Sequence, residues 1–371
     1  MAMADRSLEL VEQVREAAAR GQRLRIRGGG TKDWYGEPPP PEAAEAILDT
    51  RVHVGIVEYD PSELVVTARC GTPLAELEAA LAAHGQMLAC EPPHFGPGAT
   101  IGGCVAAGLS GPRRASAGSV RDFVLGAKLL NGRGQHLAFG GQVIKNVAGY
   151  DVSRLLAGSL GILGVITEVS LKVVPVPVAE ATLRFDGVAQ HEALDRLNRW
   201  AGQPLPLSAS AWADGTLHLR LSGAAAALRA ARQALGGDPL AAEDAVAFWR
   251  ELREQTAPFF AGDQPLWRMS VPSTAPPLVP GGGQPAAQLL EWGGALRWVR
   301  SAQPAEVLRE TARAAGGHAT LFRRGRAAAT QAVQPGCFAP LEPALLRIHQ
   351  RLKAEFDPAG VFNHGRLYPG L

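Results

Sequence analysis

Three glycine-rich stretches in the first half of the chain have the composition to meet a ligand with backbone: Arg27-Gly28-Gly29-Gly30-Thr31-Lys32, Gly96 to Gly103 with Ala99, Thr100 and Ile101 inside it, and Gly158 to Thr167. Lacking Cβ atoms, successive peptide N–H groups can converge on an anion and bind phosphate without needing a lysine. Turns of this kind so far apart in sequence suggest one long ligand carrying a pyrophosphate. FAD fits that description. Two nucleotide-binding alternatives fail on context. Gly96-x-Gly98-x-x-x-Gly102 is close to a dinucleotide fingerprint, but Glu91-Pro92-Pro93-His94-Phe95 before it offers no buried strand. After Gly30 comes Thr31-Lys32-Asp33-Trp34, neither a helix nor the Gly-Lys-Ser/Thr of a P-loop.

Other chemistry is excluded by spacing and charge. Cys70, Cys90, Cys104 and Cys337 are too scattered for a zinc or iron–sulfur site and read as small buried hydrophobes. The nine histidines are equally dispersed, and His191-Glu192 lacks a second metal-binding His. No metal is expected. With 37 Lys and Arg against 35 Asp and Glu, a net charge of +2 gives no general attraction to nucleic acid or anionic lipid. The first residues lack the apolar core of a secretory signal, and the longest uncharged run, Val271 to Leu290, is broken by Pro and Gly. A cytoplasmic protein is expected, reaching a membrane only through a partner.

The elements that would position the turns are legible in part. At 371 residues and 46% hydrophobic, the chain is long enough for two cores. Leu8, Val11, Val14 and Ala18 give an amphipathic helix, and Leu24 to Arg27 a strand running into the first turn. Strands are expected at 54–57 and 64–68, followed by a helix with Thr72 as N-cap and Pro73 in its first turn. Residues 120–130 read as one strand, with Asn131-Gly132 as a hairpin turn. Val165 to Val174 is a β-branched strand ended by prolines, and the domain boundary is placed there. From about Ala179 to Arg326, Ala-rich helices (224–235, 243–255, 304–315) alternate with short strands, suiting an α+β layer on an antiparallel sheet. A helix over 341–356 precedes the tail Phe362-Asn363-His364-Gly365-Arg366-Leu367-Tyr368.

Taken in order, these pieces resemble the FAD-binding domain of the vanillyl-alcohol oxidase/p-cresol methylhydroxylase (PCMH-type) family. The matching elements are Arg27 to Thr31, Pro93 to Gly111 centred on Ala99 to Gly103, Ser119-Val120-Arg121-Asp122, and Gly158 to Glu168. Within that family the chain is similar to the FAD-binding subunits of bacterial glycolate oxidase, through Lys145 to Leu155, Glu291 to Trp298 and the Phe362 to Tyr368 tail. The resemblance implies an α+β fold: a PCMH-type two-lobed FAD-binding domain at 1–176, a reduced α+β (ferredoxin-like) cap or substrate domain at 177–330, and a segment at 331–371 returning to the FAD domain.

It further implies a flavoprotein oxidoreductase, a glycolate dehydrogenase working as part of a complex in glyoxylate metabolism. The cofactor residues carried over are Arg27, Gly28, Gly29, Gly30, Thr31, Lys32, Pro93, Ala99, Thr100, Ile101, Gly102, Gly103, Ala106, Gly111, Gly158, Gly161, Gly164, Val165, Ile166 and Asn363. Covalent FAD in the family commonly uses a His just after the first turn; Thr31 to Trp34 stand there, so non-covalent FAD is expected. The family's metal motif has only Asp214-Gly215-Thr216-Leu217-His218 as counterpart. Expected partners are a larger homologous FAD subunit, an iron–sulfur subunit passing electrons to quinone, and a small 2-hydroxy acid substrate. Oxidising such an acid needs a cation for the carboxylate and a base for the hydroxyl proton. Arg297, Arg366 and His364 are the candidates. The alternative is a non-catalytic scaffold that keeps the flavin fold to assemble the complex.

Overall fold

The computed structural model describes residues 4–38, 45–141, 151–282, 286–325 and 335–371. Residues 145–150 of the Lys145 to Leu155 motif fall outside them. The chain forms two compact units, one of Met1–Ser110, Gly118–Val176 and Pro340–Leu371, the other of Gly111–Ala117 and Pro177–Ala339. The C-terminal return thus begins at Pro340 rather than 331, and Gly111 to Ala117 belongs with the second unit.

In the first unit, helix Ser7–Arg20 buries Leu10, Val11, Val14 and Ala17, and stops where Gly21 turns left-handed at φ 61°. Leu24–Arg27 then pairs in parallel with Ala46–Asp49, a strand hidden in the sequence by its short length. A five-stranded antiparallel sheet runs Ile56–Asp60, Val65–Arg69, Val165–Lys172, Val124–Leu130, His136–Gly140. Leu10, Val14, Leu24, Leu48, Leu130, Val165, Val361 and Phe362 share one core. Each such side chain contributes roughly 1.5–3 kcal/mol by leaving water.

Two local expectations are corrected. Residues 120–123 are helical, not the start of the strand, because the Ser119 and Asp122 side chains close a capping box around them before Val124–Leu130 begins. Helix Leu74–Ala82 has Pro73 rather than Thr72 at its N-cap position. The buried Thr72 hydroxyl instead accepts from Gly55 N at 2.9 Å and bonds the Gly55 carbonyl at 3.2 Å.

The second unit is built on an eight-stranded sheet whose neighbouring strands are all antiparallel. Strand Thr216–Gly223 shows why it has two unlike faces. Leu217, Leu219 and Leu221 point to the helices Gln190–Ala201 and Ala225–Leu235. His218, Arg220 and Ser222, on the alternate face, meet polar and aromatic partners. Helix Ala305–Ala314 covers Trp267, Met269, Val299 and Leu321 in the same way.

Candidate functional site

The glycine turns of the first unit converge on one open cleft. Its walls are Ile26 to Asp33, Thr50, Cys70, Thr100, Gly102, Gly103, Ala106, Ala107, Leu160, Gly161, Gly164, Ile166, Asn363 and Arg366. The strand Leu24–Arg27 delivers the first turn. Thr100 caps helix Ile101–Ala107 through its hydroxyl and the Gly103 N–H, delivering the second. The third is the loop that enters Val165–Lys172.

Glycine is required where these segments touch. A Cβ on Gly29 would fall on the Gly98 carbonyl, and one on Gly28 would overlap the Thr100 hydroxyl. Gly161 sits at φ 76°, where a Cβ would come 2.7 Å from Asn363 Nδ2. Cations line the cleft unevenly. Arg27 Nε donates to Asp33 Oδ2 at 2.7 Å, and Lys32 Nζ donates to the His94 carbonyl at 3.1 Å, linking the first turn to the second. His94 is held in turn, its Nε2 lying 2.9 Å from Glu78 Oε2. Burial pushes the Cys70 thiol up to about 12, so it faces the cleft as an inert apolar group.

Of the residues expected at the cofactor, Pro93, Ala99, Ile101, Gly111, Gly158 and Val165 stand off the cleft wall. Ala99, Ile101 and Val165 are core residues, and the Gly111 carbonyl accepts the Trp292 indole N–H in the second unit. Sequence reasoning passed over Ile26, Asp33, Thr50, Cys70, Ala107 and Leu160. Ile26, Asp33, Ala107 and Leu160 adjoin glycine-turn segments and could have been found by proximity. Thr50 and Cys70 could not.

The three catalytic candidates divide between the units, His364 and Arg366 lining one small pocket of the first and Arg297 lying in the second. Arg297 belongs to the second unit and is fully buried, donating to the carbonyls of Gly294 (2.6 Å), Ala275 (2.7 Å) and Pro276 (3.1 Å). Its guanidinium ties a loop to a strand and leaves no face for a substrate carboxylate. Arg366 is directed at backbone carbonyls of the first turn. His364 lines a small pocket with Arg25, Glu37, Glu45, Asn363 and Arg366, the last two shared with the cleft wall. Partial burial, with Arg23 and Lys353 nearby, lowers its pKa and favours the neutral ring.

The cleft matches what FAD requires: glycine backbone and cations for the pyrophosphate, and Ile26, Leu160 and Ile166 for apolar rings. The FAD binding domain family matches residues 2–140. Over 99% of both chains, the sequence is 49% identical to glycolate oxidase subunit GlcE of Escherichia coli K12. The chain belongs to the GlcE family of glycolate oxidase subunits. It is a flavoprotein and its cofactor is FAD. Glycolate oxidase subunit GlcD of Bacillus subtilis is 32% identical over 46% of this chain, but that match spans only 34% of GlcD. The fold is PCMH-type: alkyldihydroxyacetonephosphate synthase superposes with TM-score 0.64 at 16% identity, covering 95% of this chain and 73% of that one.

Among the described residues, no group of three or more His, Cys, Asp or Glu side chains could hold a metal ion. His218 stacks on Phe248 at 4.1 Å, and burial lowers its pKa to about 4. Among the described residues, no helix is long and apolar enough to cross a membrane.

Proposed function

We propose that this chain is a FAD-holding subunit of a multi-subunit glycolate dehydrogenase, which oxidises glycolate to glyoxylate and passes electrons through an iron–sulfur subunit to quinone. The observation that carries the reading is likeness to a glycolate oxidase subunit along 99% of the chain, together with a glycine-walled cleft suited to FAD. FAD when bound supplies a two-electron acceptor for the hydrogen on the α-carbon of a 2-hydroxy acid.

The residues of this chain bind and orient. Backbone of Gly28 to Gly30 and of Gly102 and Gly103 meets the pyrophosphate, with Arg27 and Lys32 supplying charge. Leu160, Ile166 and Cys70 exclude water from the cleft wall. The cofactor is held without a covalent bond, because Thr31 to Trp34 place no histidine beside the first turn. The four cysteines are all buried and free, so a one-electron chain would be served by a neighbouring cluster or quinone carrier.

Arg297 is spent on the carbonyls of Gly294, Ala275 and Pro276 and Arg366 on those of Lys32, Asp33 and Tyr35, which favours a chain that holds flavin without itself activating glycolate. Anaerobic addition of glycolate to the isolated chain and to the co-expressed complex tests the division of labour. Bleaching of the flavin band is expected only in the complex. Bleaching of the isolated chain at the rate of the complex would return the substrate chemistry to this subunit.

A further inference from the structure

The carbonyl side of the first glycine turn is gripped by the far end of the chain. Arg366 Nη2 donates to the carbonyls of Lys32 (3.1 Å), Asp33 (3.3 Å) and Tyr35 (3.0 Å). The Arg366 carbonyl accepts from Glu37 N at 2.8 Å, so one residue brackets the loop from both sides. Asn363 joins the turns to each other: its Oδ1 accepts from Ile26 N at 2.7 Å, before the first turn, and its Nδ2 donates to Leu160 O at 2.6 Å, in the third.

The anchor of this tail lies off the cleft wall. Lys353 Nζ donates to Ile162 O, Phe362 O and Asp357 Oδ2, each at 2.7 Å. Asp357 accepts from Val361 N at 2.9 Å and Phe362 N at 2.8 Å. The side chains of Lys353 and Asp357 are 9% and 0% exposed. A buried ion pair is a poor source of stability, since an apolar pair of the same volume often serves as well. An apolar pair could not hold Ile162 of the third turn and Phe362 of the tail to one atom.

We propose that residues 353–366 form a positioning strap that sets the affinity for FAD by holding the first and third glycine turns in register, with Lys353 and Asp357 acting entirely through the backbone they hold. The proposal rests on the reading of the cleft as the FAD site. Its physical basis is preorganisation: a loop already ordered by the strap loses less conformational freedom when the ligand arrives. Linkage then demands reciprocity. Whatever factor the strap adds to FAD affinity, FAD must add to the stability of the strap.

The test uses the full-length apoprotein titrated with FAD by fluorescence, with hydrogen exchange of residues 357–371 measured with and without FAD. Arg366→Gln should weaken FAD binding by about tenfold or more while the apo thermal midpoint moves by only about 2–4 °C. Arg366→Lys should recover most of the affinity, because all three carbonyls are served by one nitrogen and an ammonium has three donors. FAD should slow exchange of the tail in the unaltered protein and do so less in Arg366→Gln. Lys353→Met should weaken FAD from a distance; if it does not fold, Arg366→Gln and the exchange comparison decide. Gly29→Ala tests the cleft itself. Unchanged affinity in the Arg366 variant with FAD lost in Gly29→Ala overturns the strap alone, and unchanged affinity in both overturns the cleft reading as well.

Discussion

Gly29 and Gly98 pack backbone to backbone, so close that a Cβ on Gly29 would lie on the Gly98 carbonyl. The first and second glycine turns therefore touch through backbone at this point, leaving no room for a side chain.

Gly29→Ala should force the two turns apart. An overlap with backbone cannot be relieved by a rotamer, and a cost of about 2–4 kcal/mol follows. Flavin content of the purified variant should fall below a tenth of the normal value, by the roughly tenfold that each 1.4 kcal/mol brings. A variant retaining its full yellow colour would count against this cleft as the flavin site.

Gly102 carries a different constraint. A Cβ there would stand 2.6 Å from Cys70 Cβ and 3.0 Å from the Cys70 carbonyl, so it would clash with the protein itself at the cleft wall. Gly102→Val should accordingly lower the thermal midpoint of the apoprotein as well as its flavin content. Normal apo stability with lost flavin would place the valine against the ligand instead.

Arg297→Gln should destabilise the second unit by about 2–4 kcal/mol, since carbonyls of Gly294, Ala275 and Pro276 lose a buried, charged donor. Denaturant midpoints would register the loss. In the assembled complex the KM for glycolate should stay unchanged, whereas a large rise in KM would mark Arg297 as a substrate ligand.

His218 gives the second unit a defined acid sensitivity. Burial, reinforced by Arg184, holds its folded pKa at about 4, below the ordinary histidine value of 6.5. The unfolded chain therefore binds the proton more readily, and stability present above about pH 6.5 is lost as pH falls toward 4. After allowance for partial solvent access, the loss should be about 2 kcal/mol. The urea midpoint of the unaltered protein should fall relative to that of His218→Phe as pH drops from 7 to 4.5 if the histidine is responsible. Parallel curves would assign the pH dependence to other groups.

Acid precipitation offers the plainest check on the cofactor linkage. All flavin should appear in the supernatant, because no histidine stands in the stretch Thr31 to Trp34 that follows the first turn. Colour remaining with the pellet would reveal a covalent bond made by another residue.

What the sequence by itself determined is the set of features whose cause is local. A glycine triplet after an alternating strand, a β-branched run ended by prolines and an amphipathic first helix each state a backbone requirement within a few residues, and each corresponds to an element of the fold. Tertiary structure decided which side chains the turns recruit. Arg366 meets Lys32 across 334 positions and Asn363 meets Ile26 across 337, distances over which no periodicity or spacing carries information. Arginine in a tail motif is compatible with a substrate carboxylate or with backbone carbonyls, because the guanidinium donates to either. Only folding supplies the acceptor: the loop after Gly30 for Arg366, and a buried cluster of carbonyls for Arg297.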